Sequence, residues 1–243
     1  MTVGTGFDEG YRRWGASEVH AELFGEGLGL PAAVQPFSFV PVGGLREVAT
    51  LVATSAGQTL VDLGCGRGGP GLWLAARTGA RLIGVDISAV AIADARRRRA
   101  LFNDVTAAEF RVGDAAATGL PAGCADAVVT IDVLQLLDEP VALLREVARL
   151  LRPGGRLVVT TWEGRGEAPP RFPRSLPALF EHAGLRVDVH AERPDWLRRQ
   201  LRIYQRAVDG ADAAVRDLAR EGRRWRAWHR DVRRVIVRAR PSA

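Results

Sequence analysis

Between residues 59 and 161, short β-branched runs alternate with longer segments whose apolar residues recur at helical spacing. This is the pattern of βαβ units that build a parallel sheet covered on both faces. It predicts strands over 59–63, 81–86, 109–113, 127–131 and 156–161, with helices over 70–77, 89–103 and 140–151 between them. Asp138 is expected to cap the last helix, Pro140 suits its first turn, and Gly154 with Gly155 should end it. Pro169, Pro170, Pro173 and Pro177 mark a passage to a short helix over 176–183 and an alternating run over 185–190. A final β-rich run over 233–237 is expected to pair with that run at the sheet edge. Between these two runs, Leu197, Leu201, Tyr204 and Val208 line one helix face, and Val215, Leu218, Gly222, Trp225 and Val232 line part of a second.

Residues 1–58 hold Phe7, Tyr11, Trp14, Phe24, Phe37 and Phe39, six of the chain's sixteen aromatic residues. This extension is expected to act as a helical cap or lid. With a helical insertion at about 193–232, it would cover the carboxyl edge of the sheet in a 59–243 core, where open α/β folds bind their ligands. The sequence contains no internal repeat and no low-complexity segment.

With 243 residues, 47% apolar and 26% charged, the chain has ordinary globular composition, which excludes disorder and fibre. Its 34 basic residues are all Arg, against 28 acids. Residues 1–170 hold 16 Arg and 19 acids, net −3, whereas residues 171–243 hold 18 Arg and 9 acids, net +9. All of the positive excess therefore lies in the last third. Two cysteines, Cys65 and Cys124, and no charged-then-apolar leader after Met1 predict a cytoplasmic protein without structural disulfides. The uncharged run 27–45 is broken by Pro31, Pro36 and Pro41, and reads as a loop, not a membrane anchor.

The chemistry concentrates in Val61-Asp62-Leu63-Gly64-Cys65-Gly66-Arg67-Gly68-Gly69, which leaves the first strand and enters a helix. Gly64, Gly66 and Gly69 form a G-x-G-x-x-G pattern that also fits a dinucleotide site. Asp62 changes the balance, because a carboxylate beside the turn repels pyrophosphate and attracts an ammonium or a sulfonium. Asp86 ends the second strand 22 residues after Gly64, where an acid can accept from both ribose hydroxyls. The third strand leads into Asp114-Ala115, the fourth ends at Ile131-Asp132, and Leu151-Arg152-Pro153-Gly154-Gly155 announces the fifth.

In this order and spacing the motifs resemble the class I S-adenosylmethionine-dependent methyltransferases, small-molecule type, strongly over residues 59–161. The resemblance implies a Rossmann-like α/β fold: a doubly wound, seven-stranded, mostly parallel sheet with one antiparallel strand near an edge. It implies S-adenosylmethionine as cofactor, with Gly64, Cys65 and Gly66 at the methionine end and Asp62 supporting the loop. Asp86 would bind the ribose, Ile87 would pack on the adenine, and Asp114 with Ala115 would read its edge. Ile131 and Asp132 would border the methionine amino group and the methyl. Phe7-Asp8, Tyr11, Trp14-Gly15 and His20 resemble the family's aromatic N-terminal lead, with Trp14 at the cofactor.

Asp132 reads equally as a loop residue, a cofactor contact or the catalytic base, and His20 is the second candidate base. Neither His20 nor His182, His190 and His229 shows ligand spacing, and Trp162-Glu163 stands where metal-dependent relatives carry an Asp-Asn pair, so no metal is expected. Arg96 to Arg99 read as a solvated helix face, and Trp225 and Trp228 as packing anchors. The expected partner is a small-molecule acceptor, anionic if the basic third helps select it, for a monomer or homodimer without nucleic acid or membrane. Two alternatives stay open: methylation of RNA or another polyanion, and a protein that keeps the cofactor but catalyses cyclisation or no transfer.

Overall fold

Seven strands form one sheet in the order β3-β2-β1-β4-β5-β7-β6. They are β1 (Thr59–Leu63), β2 (Arg81–Asp86), β3 (Ala108–Val112), β4 (Ala125–Ile131), β5 (Leu151–Gly164), β6 (Leu185–Glu192) and β7 (Val232–Pro241). The first five pair in parallel, and β7 runs antiparallel between β5 and the edge strand β6. Strand order reverses between β1 and β4, which opens a crevice at their carboxyl ends. This computed structural model describes residues 3–15, 17–35, 37–210 and 215–242. Pro36 and the side chain of Trp228 lie outside the described residues.

Consecutive strand residues alternate between two cores, as the period-2 geometry of a sheet requires. Leu60, Leu82, Val129, Val158 and Ile236 face one cluster; their neighbours Val61, Ile83, Val128, Val159 and Val235 face the other. On the first face lie α3 (Val42–Val52), α4 (Gly69–Thr78) and α5 (Ala89–Arg98). On the second lie α6 (Pro140–Leu150) and α7 (Leu176–His182). The remaining helices are α1 (Val3–Gly15), α2 (Glu18–Leu28), α8 (Pro194–Asp209) and α9 (Arg216–Trp228). A chain of aromatic contacts joins the last three: Phe24 to Phe39 at 5.1 Å, Phe39 to Tyr204 at 5.0 Å and Tyr204 to Trp225 at 6.0 Å. Among the described residues no helix is long and apolar enough to cross a membrane.

Several local expectations are corrected. Glu139, not Asp138, is the N-cap of α6 and makes no side-chain capping bond. Helix α6 ends at Leu150 and β5 starts at once, pairing Leu151 with Ala125; Gly154 and Gly155 lie in a register irregularity inside the strand instead of stopping the helix. The Arg run is only partly solvated: Arg98 is buried and donates to Ala33 O and Gln35 Oε1, while Arg96 donates to Phe110 O. The buried stripe of α8 is Trp196, Gln200, Ile203, Tyr204 and Ala207, with Leu197, Leu201 and Val208 at its margin. Part of the positive excess of the last third is met by acids from earlier in the chain, joining Arg193 to Glu47, Arg206 to Glu26, Arg233 to Glu163 and Arg234 to Asp132, while Arg238 and Arg240 share Asp188.

Candidate active site

A cavity with an empty volume of about 960 Å³ sits at the carboxyl ends of β1, β2 and β4. The glycine turn forms its floor. Gly64 has φ 72°, and a Cβ there would stand 2.4 Å from Val133 Cγ2, so both backbone conformation and space demand glycine. The turn's own donors are engaged: the N–H groups of Gly64 and Cys65 both donate to Val85 O (2.8 and 3.1 Å), Gly66 N to Asp86 Oδ2 (2.8 Å) and Gly68 N to Cys65 O (2.9 Å). At the start of α4 the Val34 carbonyl lies 1.6 Å from where a Gly69 Cβ would be, and Pro70 removes a helix N–H. The helix N-terminus that cradles pyrophosphate in dinucleotide folds is thus covered by main chain of the N-terminal extension.

Two carboxylates border this turn. Asp62 is buried and lines the cavity; burial, and then the nearby Asp86, push its pKa up to about 7. Asp86, also raised by burial, is held by Gly66 N and by Ser88 N (2.9 Å to Oδ1). A turn whose Gly64, Cys65, Gly66 and Gly68 N–H groups are engaged and whose Arg67 is drawn onto Asp94, beside two buried acids, is an attractive site for a cation and a poor one for a phosphate. Further out, Asp114, Ala115, Ile87 and Ile131 line the same cavity. Ile87 is 42% exposed, an uncovered apolar side chain available to a flat ring. Cys65 also lines it, its thiol raised by burial.

Asp132 lines the cavity too, but its carboxylate is tied down. Arg234 Nη2 donates to Oδ1 (2.8 Å) and Oδ2 (2.9 Å), Thr160 Oγ1 to Oδ1 (2.9 Å) and Phe39 N to Oδ2 (3.0 Å). Arg234 is fully buried, lies 4.0 Å over the Trp162 ring and donates to Gln200 Oε1 (3.1 Å). The network joins β4, β5, β7, α8 and the loop before α3. Asp132 itself sits at φ 59°, a conformation rarely adopted by a residue with a side chain.

Two sequence candidates do not reach the cavity wall. Trp14 stacks on Phe37 at 3.7 Å and lines an adjoining cavity of about 1250 Å³ empty volume, which shares Phe7 and Phe37 with the first. His20 is packed between Trp14 (5.5 Å) and Phe24 (4.3 Å), where burial, and then Arg67, hold its pKa down at about 4. Glu163 is buried and accepts from Arg233 Nε, Leu176 N and His190, a structural anchor. Among the described residues no group of three or more His, Cys, Asp or Glu is arranged to hold a metal ion. The sequence reading missed Arg234, Gln35, Ser38 and Val133. Their role arises from loops and a strand distant in the chain, and no local motif announces it.

Fold and crevice define a doubly wound nucleotide-type domain whose floor is acidic. Residues 61–159 match the family described as a methyltransferase domain. That match makes the stretch from the glycine turn to the fifth strand similar to methyltransferase domains. It is 29% identical over 136 residues to the methyltransferase GfsG of Streptomyces halstedii, covering 56% of this chain and 49% of that one. The chain thus spans about half the length of the curated relatives it matches. Among solved structures, it is similar to the [4+2]-cyclase SpnF (TM-score 0.72, 20% identity, 99% and 97% of the two chains covered). It is also similar to phosphoethanolamine N-methyltransferase 2 of Haemonchus contortus with S-adenosyl-L-methionine (TM-score 0.76, 18% identity, 98% and 60% covered).

Proposed function

We propose that the chain binds S-adenosylmethionine in the acid-floored cavity and directs its methyl to a small-molecule acceptor. The observation that carries this reading is the turn at Gly64, whose N–H groups are engaged internally while Asp62 stands uncompensated beside it. When bound, the cofactor supplies a methyl already activated on a cationic sulfur. The chain's residues then have to bind, orient and exclude water. Asp62 and the turn's carbonyl oxygens suit the ammonium of the methionine part, Asp86 the ribose hydroxyls, and Ile87, Asp114 and Ala115 the adenine. Ile131 and Val133 flank the reacting end, with Tyr11 and Phe37 from the cap opposite. Alignment of acceptor and methyl within this wall contributes several kcal/mol, roughly, of barrier lowering.

Asp132, with both oxygens held by Arg234, serves to fix the cap on the sheet, and His20 is a packing residue. The reading therefore gives neither the role of base. Pairing of Arg193, Arg206, Arg233 and Arg234 with acids from earlier in the chain lowers the positive excess of the basic third, which favours a small acceptor over a polyanion. In this reading α1 and α2 act as a lid, and the protein works in the cytoplasm. The experiment is incubation with methyl-labelled cofactor and extracts of the host, followed by identification of the product that gains the label. The full-length similarity to a cyclase supports one second reading, binding without transfer. Tight S-adenosylhomocysteine binding with no labelled product would favour it.

A further inference from the structure

The methionine part of the cofactor carries a carboxylate as well as an ammonium, and the floor of the cavity suits the ammonium. The N–H groups of Gly64, Cys65, Gly66 and Gly68 are engaged, Arg67 is drawn onto Asp94 and Gln35, and Asp62 and Asp86 repel an anion. The opposite wall, the bend that leads from α2 to α3, is different. Ser38 lines the cavity, is only 4% exposed, and its Oγ has no hydrogen-bond partner. A buried hydroxyl left unsatisfied costs free energy that a ligand atom would recover. Three residues earlier, Gln35 also lines the cavity, with its backbone held at φ 30°. Its Oε1 accepts from Arg98 Nη1 (3.0 Å) and Arg67 Nη1 (3.4 Å). That fixes which end of the amide is the oxygen and leaves the NH₂ as a donor. Phe39, which follows Ser38, donates its N–H to Asp132, which anchors that end of the bend over the floor.

Resting on the cofactor reading above, we propose that Ser38 Oγ and the Gln35 side-chain amide form the clamp for the carboxylate of the cofactor's methionine part. The two guanidinium groups behind Gln35 polarise its amide toward an anion. The ammonium then faces the acidic floor and the carboxylate the donor-bearing bend, so the zwitterion is read by two walls of opposite character. This assignment also gives the buried Asp132 and Arg234 a purpose, because their network fixes the height of the bend above the turn.

The test is calorimetric binding at about pH 8 of two ligands. One is S-adenosylhomocysteine; the other is 5′-deoxy-5′-(3-aminopropylthio)adenosine, which keeps the ammonium and lacks the carboxylate. Ser38→Ala is expected to weaken the first about tenfold and to leave the second within about twofold. Gln35→Ala should show the same contrast, and it carries the test if Ser38→Ala fails to fold. Equal weakening of both ligands, or none, in the folded variants would overturn the clamp. Wild-type protein that binds neither ligand would overturn the cofactor reading itself, an outcome distinct from a failed clamp.

Discussion

Asp62 and Asp86 on one side of the crevice and Asp132 on the other sit in opposite electrostatic surroundings. All three are buried acids at or beside strand ends. The turn's one cation, Arg67, pairs with Asp94 instead of Asp62 or Asp86, and burial raises both. Asp132 has the guanidinium of Arg234 across both oxygens, with a hydroxyl and an N–H completing its shell. The difference teaches that position at a strand end does not decide the role of an acid; the partner supplied from elsewhere in the chain does. Where no partner arrives, the carboxylate is left for a ligand. Where a buried Arg arrives, the acid becomes part of the frame.

The comparison breaks most visibly at Arg234. Arg234→Ala leaves Asp132 buried without its counter-charge, and denaturant unfolding should report a loss of about 3–5 kcal/mol. Pairing Asp132→Asn with Arg234→Met should recover part of that loss, because the uncompensated charge disappears. The other side of the crevice should respond in affinity rather than stability. Asp86→Ala is expected to weaken S-adenosylhomocysteine roughly ten- to hundredfold, from charge-assisted hydrogen bonds of about 1.5–3 kcal/mol, as read by calorimetry.

A pH series sharpens the contrast. Asp62 titrates near 7 in the free protein, and an ammonium beside it favours the ionised form, so binding releases a proton below that pH. Affinity for S-adenosylhomocysteine should fall as pH drops below about 7, by up to about tenfold per unit, and Asp62→Asn should flatten the profile. The stability of the free protein runs the other way for this group. With its folded pKa raised, the stabilisation is complete below the ordinary value of 3.8 and is lost as pH rises through about 7. His20, held at about 4, has the opposite sign: its contribution is present above the ordinary 6.5 and declines as pH falls toward 4. The smallest effect belongs to Asp138→Ala, which should change stability by less than about 0.5 kcal/mol, since the residue caps nothing.

The fold and one half of the site were legible in the sequence for a physical reason. Strands β1, β2 and β4 are short, doubly buried apolar runs, and the glycine turn needs residues that only its own backbone geometry explains. Asp62, Asp86, Asp114 and Ile131 follow from their place at strand ends. The cap side was not legible in this way. Arg234 meets Asp132 across 102 residues of chain, and Ser38 and Gln35 sit in a bend whose position depends on packing by Phe39 and Tyr204. His20 and Trp14 were drawn toward the site by their chemistry, yet stacking with Phe24 and Phe37 places them behind its wall. Helix α8 turned by a fraction of its period because Trp196 and Gln200, not Leu197 and Leu201, meet the buried Arg234.

The central claim is that the crevice selects a cationic, amino-acid-bearing nucleoside over a pyrophosphate. Side-by-side calorimetry of wild-type protein with S-adenosylhomocysteine and with NAD tests it directly. Saturable binding of S-adenosylhomocysteine with no heat from NAD is the predicted result; NAD binding with S-adenosylhomocysteine excluded would contradict it.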